Sequence, residues 1–331
     1  QDVYDTGGSG GSGRRGGRGG NAGGGSGGQS GDGGSGGSGG SVMPPPGVEA
    51  CGPLPPAPIR RLSRVEFMAT VRELFPHLFK ADADGTYRLD NHAFEFVRPG
   101  FSEKTNRHLR GDVLADPNTY GFENRAKNLN PTPSKIEDLD DIALLISEAV
   151  TVGDALAKTV PCTERTVECG KKFIDAIGPR AYRRPLETAE KEALYKFFSD
   201  EFEAAKGSSG VEPFTAATRL LIESLLQMPA FQYRFEVGDP ATKKNGAIQL
   251  TQYEIASRLS YTLWSTMPDQ ELFDAAAKGE LKSPEQLDRQ ARRMLADKRF
   301  RFMVIEYFRQ WADFERIFSE GYRQKPGYSL G

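Results

Sequence analysis

Glycine is segregated in this chain, and that limits which part of it can fold. Of 38 glycines among 331 residues, 22 fall within residues 1–50, where Gly and Ser together occupy 29 positions. Such a stretch has little apolar surface to set against the entropy of ordering its backbone. Residues 1–58 are therefore expected to be a disordered linker, Gly/Ser-rich at first and Pro-rich from Pro44 to Pro58. Two familiar motif strings fall inside it: Gly-x-Ser-x-Gly at Gly7–Gly11 and Gly-x-Gly-x-x-Gly at Gly8–Gly13. Neither has the flanking strand and helix that its chemistry requires, so both follow from composition alone. Arg14, Arg15 and Arg18 read as a solubilising patch in the same stretch.

The remainder is long enough for one large or two modest cores. After residue 50 it carries 40 basic and 41 acidic residues. A duplex-binding surface usually shows a basic excess, because its affinity comes from neutralising phosphates. Nucleic acid is therefore not the expected partner. No apolar run approaches the roughly 20 residues that span a bilayer as a helix.

Helix signals dominate this remainder. In Leu62-Ser63-Arg64-Val65-Glu66-Phe67, Ser63 can cap, Glu66 can close the capping box and Leu62 can staple onto Phe67. Thr251 with Glu254, and Ser283 with Gln286 behind Pro284, repeat the device. Ser134 with Glu137 reads as a fourth box, opening a helix whose apolar face is Ile136, Leu139, Ala143, Ile146 and Val150. Asp297 is expected to cap a last helix carrying Phe300, Met303, Tyr307, Trp311 and Phe314, with Trp264 and Trp311 in the core. Helical spacing also covers about 166–177, 188–205, 213–228 and 268–278, with Gly279 as a terminator. The expected fold class is all-α, with about eight or nine helices and one long irregular insertion at 76–120. The expected division is 59–160, 161–240 and 241–318, with a tail at 319–331.

The insertion holds all three histidines, His77, His92 and His108, with no cysteine nearby. They read as exposed loop residues, and zinc-type spacing is absent. Asp82, Asp84, Gly85 and Asp90 resemble part of a calcium loop. A loop starting at Lys80 has Lys at its first ligand position and Asn91 at its twelfth, so a solvated acidic turn is the better reading. No metal and no cofactor are expected in this chain.

Two side-chain groups invite a functional reading. Cys162 and Cys169 would stand about 10.5 Å apart on one unbroken helix, too far for a bridge. If the helix begins near Thr166, the preceding loop can fold back and a disulfide becomes feasible; two buried thiols are the alternative. Cys51 is left over. Arg180, Arg183 and Arg184 surround Tyr182 before Pro185. Their forked donors suit a carboxylate or phosphate, which makes them a candidate anion site. The competing reading is a turn whose arginines pair with Glu187 and Glu190.

Several segments together resemble a known set of domains. Arg60-Arg61-Leu62-Ser63-Arg64-Val65-Glu66-Phe67 with Thr70-Val71-Arg72-Glu73-Leu74, and Tyr120-Gly121-Phe122-Glu123-Asn124-Arg125-Ala126, resemble a planctomycete-type domain of unknown function, number 1587. Cys162 to Cys169, then Arg180-Ala181-Tyr182-Arg183-Arg184-Pro185-Leu186, resembles domain 1595. Pro229 to Arg234, Glu254 to Trp264 and Met267-Pro268-Asp269 resemble domain 1592. The resemblance covers about residues 59–316 and implies an extracytoplasmic multidomain protein of planctomycetes and myxobacteria. It implies c-type cytochrome-like modules as neighbours, downstream or separate, although this chain has no Cys-x-x-Cys-His. It also favours the Cys162–Cys169 bridge and a periplasmic, surface or secreted location, with room for a lipid anchor upstream of Gln1. Relatives continue past the point where this chain stops, so a piece of a longer protein is implied.

The leading expectation is a non-catalytic helical module that binds or positions neighbours. One alternative is an extracellular hydrolase with a site in the 76–120 insertion or the Arg180–Arg184 turn. Another is the accessory part of a redox protein whose haem domain lies elsewhere.

Overall fold

A computed structural model describes residues 59–79, 131–207, 210–244 and 246–312, together with residues 122, 124, 126 and 129. The Gly/Ser stretch, most of the 76–120 insertion with His92, His108 and the calcium-like aspartates, Cys51 and Phe314 lie outside the described residues.

The described part is all-α, as expected, with one two-stranded ribbon. Eleven α-helices occur among the described residues: α1 (Arg64–Leu74), α2 (Pro133–Thr151), α3 (Ala155–Thr159), α4 (Val167–Tyr182), α5 (Thr188–Ala205), α6 (Pro213–Gln227), α7 (Pro229–Gln232), α8 (Gln252–Trp264), α9 (Gln270–Ala277), α10 (Pro284–Ala296) and α11 (Lys298–Trp311). The excess over eight or nine lies in α3 and α7, which span 5 and 4 residues. Segments so short cannot display a helical repeat. The ribbon pairs β1 (Arg60–Arg61) antiparallel with β2 (Tyr233–Arg234).

The helix starts follow local chemistry. Capping boxes form at Ser63 with Glu66, Thr251 with Glu254, and Ser283 with Gln286. Asp297 caps α11. The fourth start is displaced: Thr132, not Ser134, caps α2 and accepts from the Lys135 N–H at 3.2 Å. Pro133 decides this. Its fixed φ suits the first helical position, and it pushes the preceding residue into extended backbone. The α2 face shifts accordingly. Ile136 is 56% exposed, while Leu139, Ile142, Ala143, Ile146, Ala149 and Val150 are buried.

Two hydrophobic cores result. The larger gathers α1, α2 and α4–α7 around Phe67, Phe173, Phe198, Phe214 and Phe231. It draws on both the 59–160 and the 161–240 stretches. Inside it α6 lies against α2 and α5, and α4 against α5. Gly170 permits the closest approach, since a Cβ there would stand 2.0 Å from the Phe198 ring. The smaller core gathers α8–α11 around Trp264, Leu272, Leu281 and Met294. Helix α8 serves both, because Tyr261 packs into the larger core and Trp264 into the smaller.

His77 departs from expectation. It sits half-buried in a 3-10 turn at Pro76–Leu78, and its Nε2 meets the Thr159 hydroxyl at 3.2 Å. Burial, helped by nearby Lys158, pushes its pKa down.

Candidate functional site

The cysteine pair is a disulfide, Cys162–Cys169, with Cα atoms 6.0 Å apart. Thr166 caps α4 by accepting from the Cys169 N–H. The helix therefore starts late enough for the loop to fold back, which an unbroken helix would forbid.

The three arginines of the following turn direct their donors to different acceptors. Arg180 donates to the Glu73 carbonyl at 2.6 Å, tying α4 to α1. Arg184 makes a two-pronged ion pair with Glu190, both bonds at 2.7 Å. That bond raises the Arg184 pKa and lowers the Glu190 pKa. Arg183 adopts left-handed backbone, φ 59°, where α4 ends. Few side chains other than glycine settle there. Its guanidinium supplies the compensation by donating to the carbonyls of Ala181, Ala230, Phe231 and Tyr233, at 3.2, 2.8, 3.0 and 2.8 Å. These contacts clamp α7 and β2 onto the end of α4.

Next to this clamp lies a buried polar cluster that single-sequence reading missed. The Tyr261 hydroxyl meets Thr70 Oγ1 at 2.8 Å, and Thr70 donates to the Glu66 carbonyl at 2.7 Å. Arg234 stands 3.6 Å from the Glu66 carboxylate and 5.0 Å from the Tyr261 ring centre. Arg183 lies 5.8 Å from the same ring centre. Burial pushes the Tyr261 phenol up, so it stays neutral and bonded. Each of these side chains is buried. The arrangement joins α1, β2, α4 and α8, and it presents no nucleophile beside a base. Glu66 was legible only as a helix cap; its second partner is 168 positions away and invisible to local pattern.

The α8–α11 core is fastened by ion pairs. Asp269 caps α9 and also accepts from Arg293 and Arg299, at 2.8 and 3.3 Å. Arg299 pairs with Asp297 at 2.8 Å and lies 3.5 Å from the Trp264 ring centre. Burial pushes the Asp269 pKa up, but the Arg293 bond, the Leu272 N–H and both guanidinium charges outweigh it, for a net lowering. Bonding to Arg299 lowers Asp297.

Helix α11 overturns the expectation that Trp311 is core. Ile305, Tyr307, Phe308 and Trp311 are 55, 48, 50 and 62% exposed. Tyr307 meets Phe308 edge-on, and Phe308 meets Trp311 likewise, with ring centres 5.5 and 6.0 Å apart. The inner side of α11 packs Phe300 against the smaller core. The helix is thus apolar on two sides; on the outer one Phe122 meets only the flank, its ring centre 5.5 Å from that of Tyr307, and the other large side chains stay at least half exposed. The unbroken apolar run from Phe302 to Ile305 was the sequence signal, since a helix apolar all round is normally covered all round.

Among the described residues, no group of three or more His, Cys, Asp or Glu is placed to hold a metal ion. No helix among them is long and apolar enough to cross a membrane.

No curated protein matches the chain, and no solved structure matches it. Family models match two stretches. Residues 169–236, from Cys169 through α4–α7 and β2, match PSD5, protein of unknown function (DUF1595). Residues 250–329, which include α8–α11, match PSD4, protein of unknown function (DUF1592). Two family models thus match successive stretches of the chain, the DUF1595 model first and the DUF1592 model second.

Proposed function

We propose that this chain is a helical, non-catalytic interaction module of an extracytoplasmic protein, and that it works beside c-type cytochrome-like domains. The observation that carries the reading is the outer face of α11, where four large apolar side chains stand about half exposed or more. Contiguous exposed apolar side chains rimmed by polar ones mark interaction sites more often than they mark chemistry. The Cys162–Cys169 bridge supports an oxidising compartment. The resemblance of residues 60–74 to domain 1587 supports the wider family setting, from which the cytochrome association comes. The Arg180–Arg184 turn gives a hydrolase little support, because its donors are engaged by acceptors of the protein itself.

The test is hydrogen exchange on the protein as purified from its source, compared with this chain alone. The expected result is slower exchange in residues 301–312 of the protein from its source, together with a haem absorption band. Equal exchange in the two, at a concentration where this chain is monomeric, would sink the interaction role. A colourless native protein would sink the cytochrome association.

A further inference from the structure

We propose that the outer face of α11 pairs two-fold and antiparallel with the same helix of a second copy of this chain. The inference deepens the module reading and rests on it.

The spacing of the face carries the argument. Arg301, Val304, Phe308 and Trp311 succeed one another at intervals of three, four and three, the spacing of a helix–helix seam. Arg301 and Trp311 lie symmetrically about Glu306, and so do Val304 and Phe308. Glu306 itself points the other way. It is buried and held by Arg309 and Gln310. An antiparallel two-fold pair centred on Glu306 therefore sets each Arg301 against Trp311 of the second copy. It sets each Val304 against Phe308 of the second copy. A two-fold interface requires this self-complementarity: whatever residue i meets on the other copy must in turn meet residue i.

The chemistry of the pairs agrees with the geometry. Arg301 is exposed and makes no hydrogen bond or ion pair among the described residues. Trp311 is the most exposed aromatic side chain on the helix. A guanidinium over an indole face is the strongest common cation–π pair. The two groups are about 15 Å apart along one helix and cannot meet within a single copy. Val304 and Ile305 offer branched aliphatic surface to the Phe308 ring. Trp, Tyr and Arg are also the residues that most often dominate binding energy. A lipid surface would need several cations along the stripe, and Arg301 stands there with only Lys298 beyond it.

Sedimentation of the full chain across the micromolar range is the first measurement. Reversible dimerisation is expected. Phe308→Glu should weaken it at least about thirtyfold while leaving helicity unchanged, because the ring is half exposed in one copy. A chain that stays monomeric across that range overturns the proposal. Orientation is tested in a Cys51→Ser background by oxidising a mixture of Arg301→Cys and Trp311→Cys chains. Mixed disulfides should dominate; Arg301→Cys chains that cross-link equally well to themselves overturn the antiparallel pairing. A monomeric chain whose α11 is nonetheless protected in the protein from its source defeats self-pairing and leaves the module reading standing. A monomeric chain with α11 unprotected in both defeats the two together.

Discussion

In the α4–α7 region the guanidinium of Arg183 is held by four uncharged carbonyls. In the α8–α11 region the guanidiniums of Arg293 and Arg299 are held by Asp269 and Asp297. The first region belongs to a large core and is cross-linked by a disulfide. The second has a small core, centred on Trp264, and leaves Ile305, Phe308 and Trp311 of its last helix at least half exposed. The difference teaches where each region is vulnerable. Carbonyl acceptors do not titrate, so the Arg183 clamp resists changes of charge, and the region around it yields to changes of shape or redox state. The second depends on one large side chain and on carboxylates that can be protonated.

The sharpest break is Trp264→Ala. The side chain is fully buried, and its indole N–H donates to the Met294 carbonyl at 2.9 Å. A loss of about 3–5 kcal/mol is expected. Hydrogen exchange should report it in residues 252–311 well before residues 167–227. Equal loss in both stretches would mean that the two cores melt as one.

Arg183→Ala strikes the other region. Removing the fork leaves buried carbonyls without donors, and a loss of about 3 kcal/mol is expected in chemical denaturation. Arg183→Gly relieves the left-handed backbone yet removes the same bonds. If that variant is as stable as the parent, the clamp does no more than offset the backbone strain. Arg183→Lys should recover only part of the loss, because an ammonium cannot reproduce the planar fork.

Replacing Cys162 and Cys169 together by serine should cost about 2–3 kcal/mol, a modest figure because the closed loop is short. The effect should fall on the α4–α7 region. A reductant that lowers the midpoint of α8–α11 unfolding by as much would refute that assignment.

Acid should separate the regions in the opposite sense. Asp269 and Asp297 have folded pKa values below their ordinary ones. Their contribution is therefore fully present above the unfolded value of about 3.9, and it is lost as pH falls through the depressed folded values. Residues 252–311 should lose protection below about pH 4, ahead of the Arg183 clamp. Asp269→Asn should cost about 1 kcal/mol at neutral pH, since the ion pairs are partly exposed, and should flatten this acid response. An unchanged acid profile would exclude Asp269 as its source.

The smallest effects belong to the caps. Ser63→Ala and Thr251→Ala should each cost about 1 kcal/mol, the first loosening α1 and the second α8. Identical exchange patterns in the two variants would show that α8 transmits both losses through Tyr261 and Trp264.

The α2 start shows how narrowly a local signal can miss. Ser134 and Glu137 have the spacing of a capping box, and Pro133 overrules it by fixing φ one residue earlier. Trp311 shows a larger miss. Its helical register was correct, but a register does not say whether a facing surface exists. The buried cluster of Glu66, Thr70, Arg234 and Tyr261 could not be read at all, because its members come from segments up to 195 positions apart.

What the sequence determined by itself was the all-α class, where most helices begin, and the feasibility of the Cys162–Cys169 bridge. Each rests on chemistry within a few residues: a cap reaches three positions forward, and the cysteines are separated by 7. Only the tertiary structure decided that Arg183 clamps carbonyls 47 to 50 positions away, and that α11 keeps an aromatic face in the open. Those outcomes depend on which surfaces meet after the helices have formed, and packing between distant segments leaves no mark on local spacing.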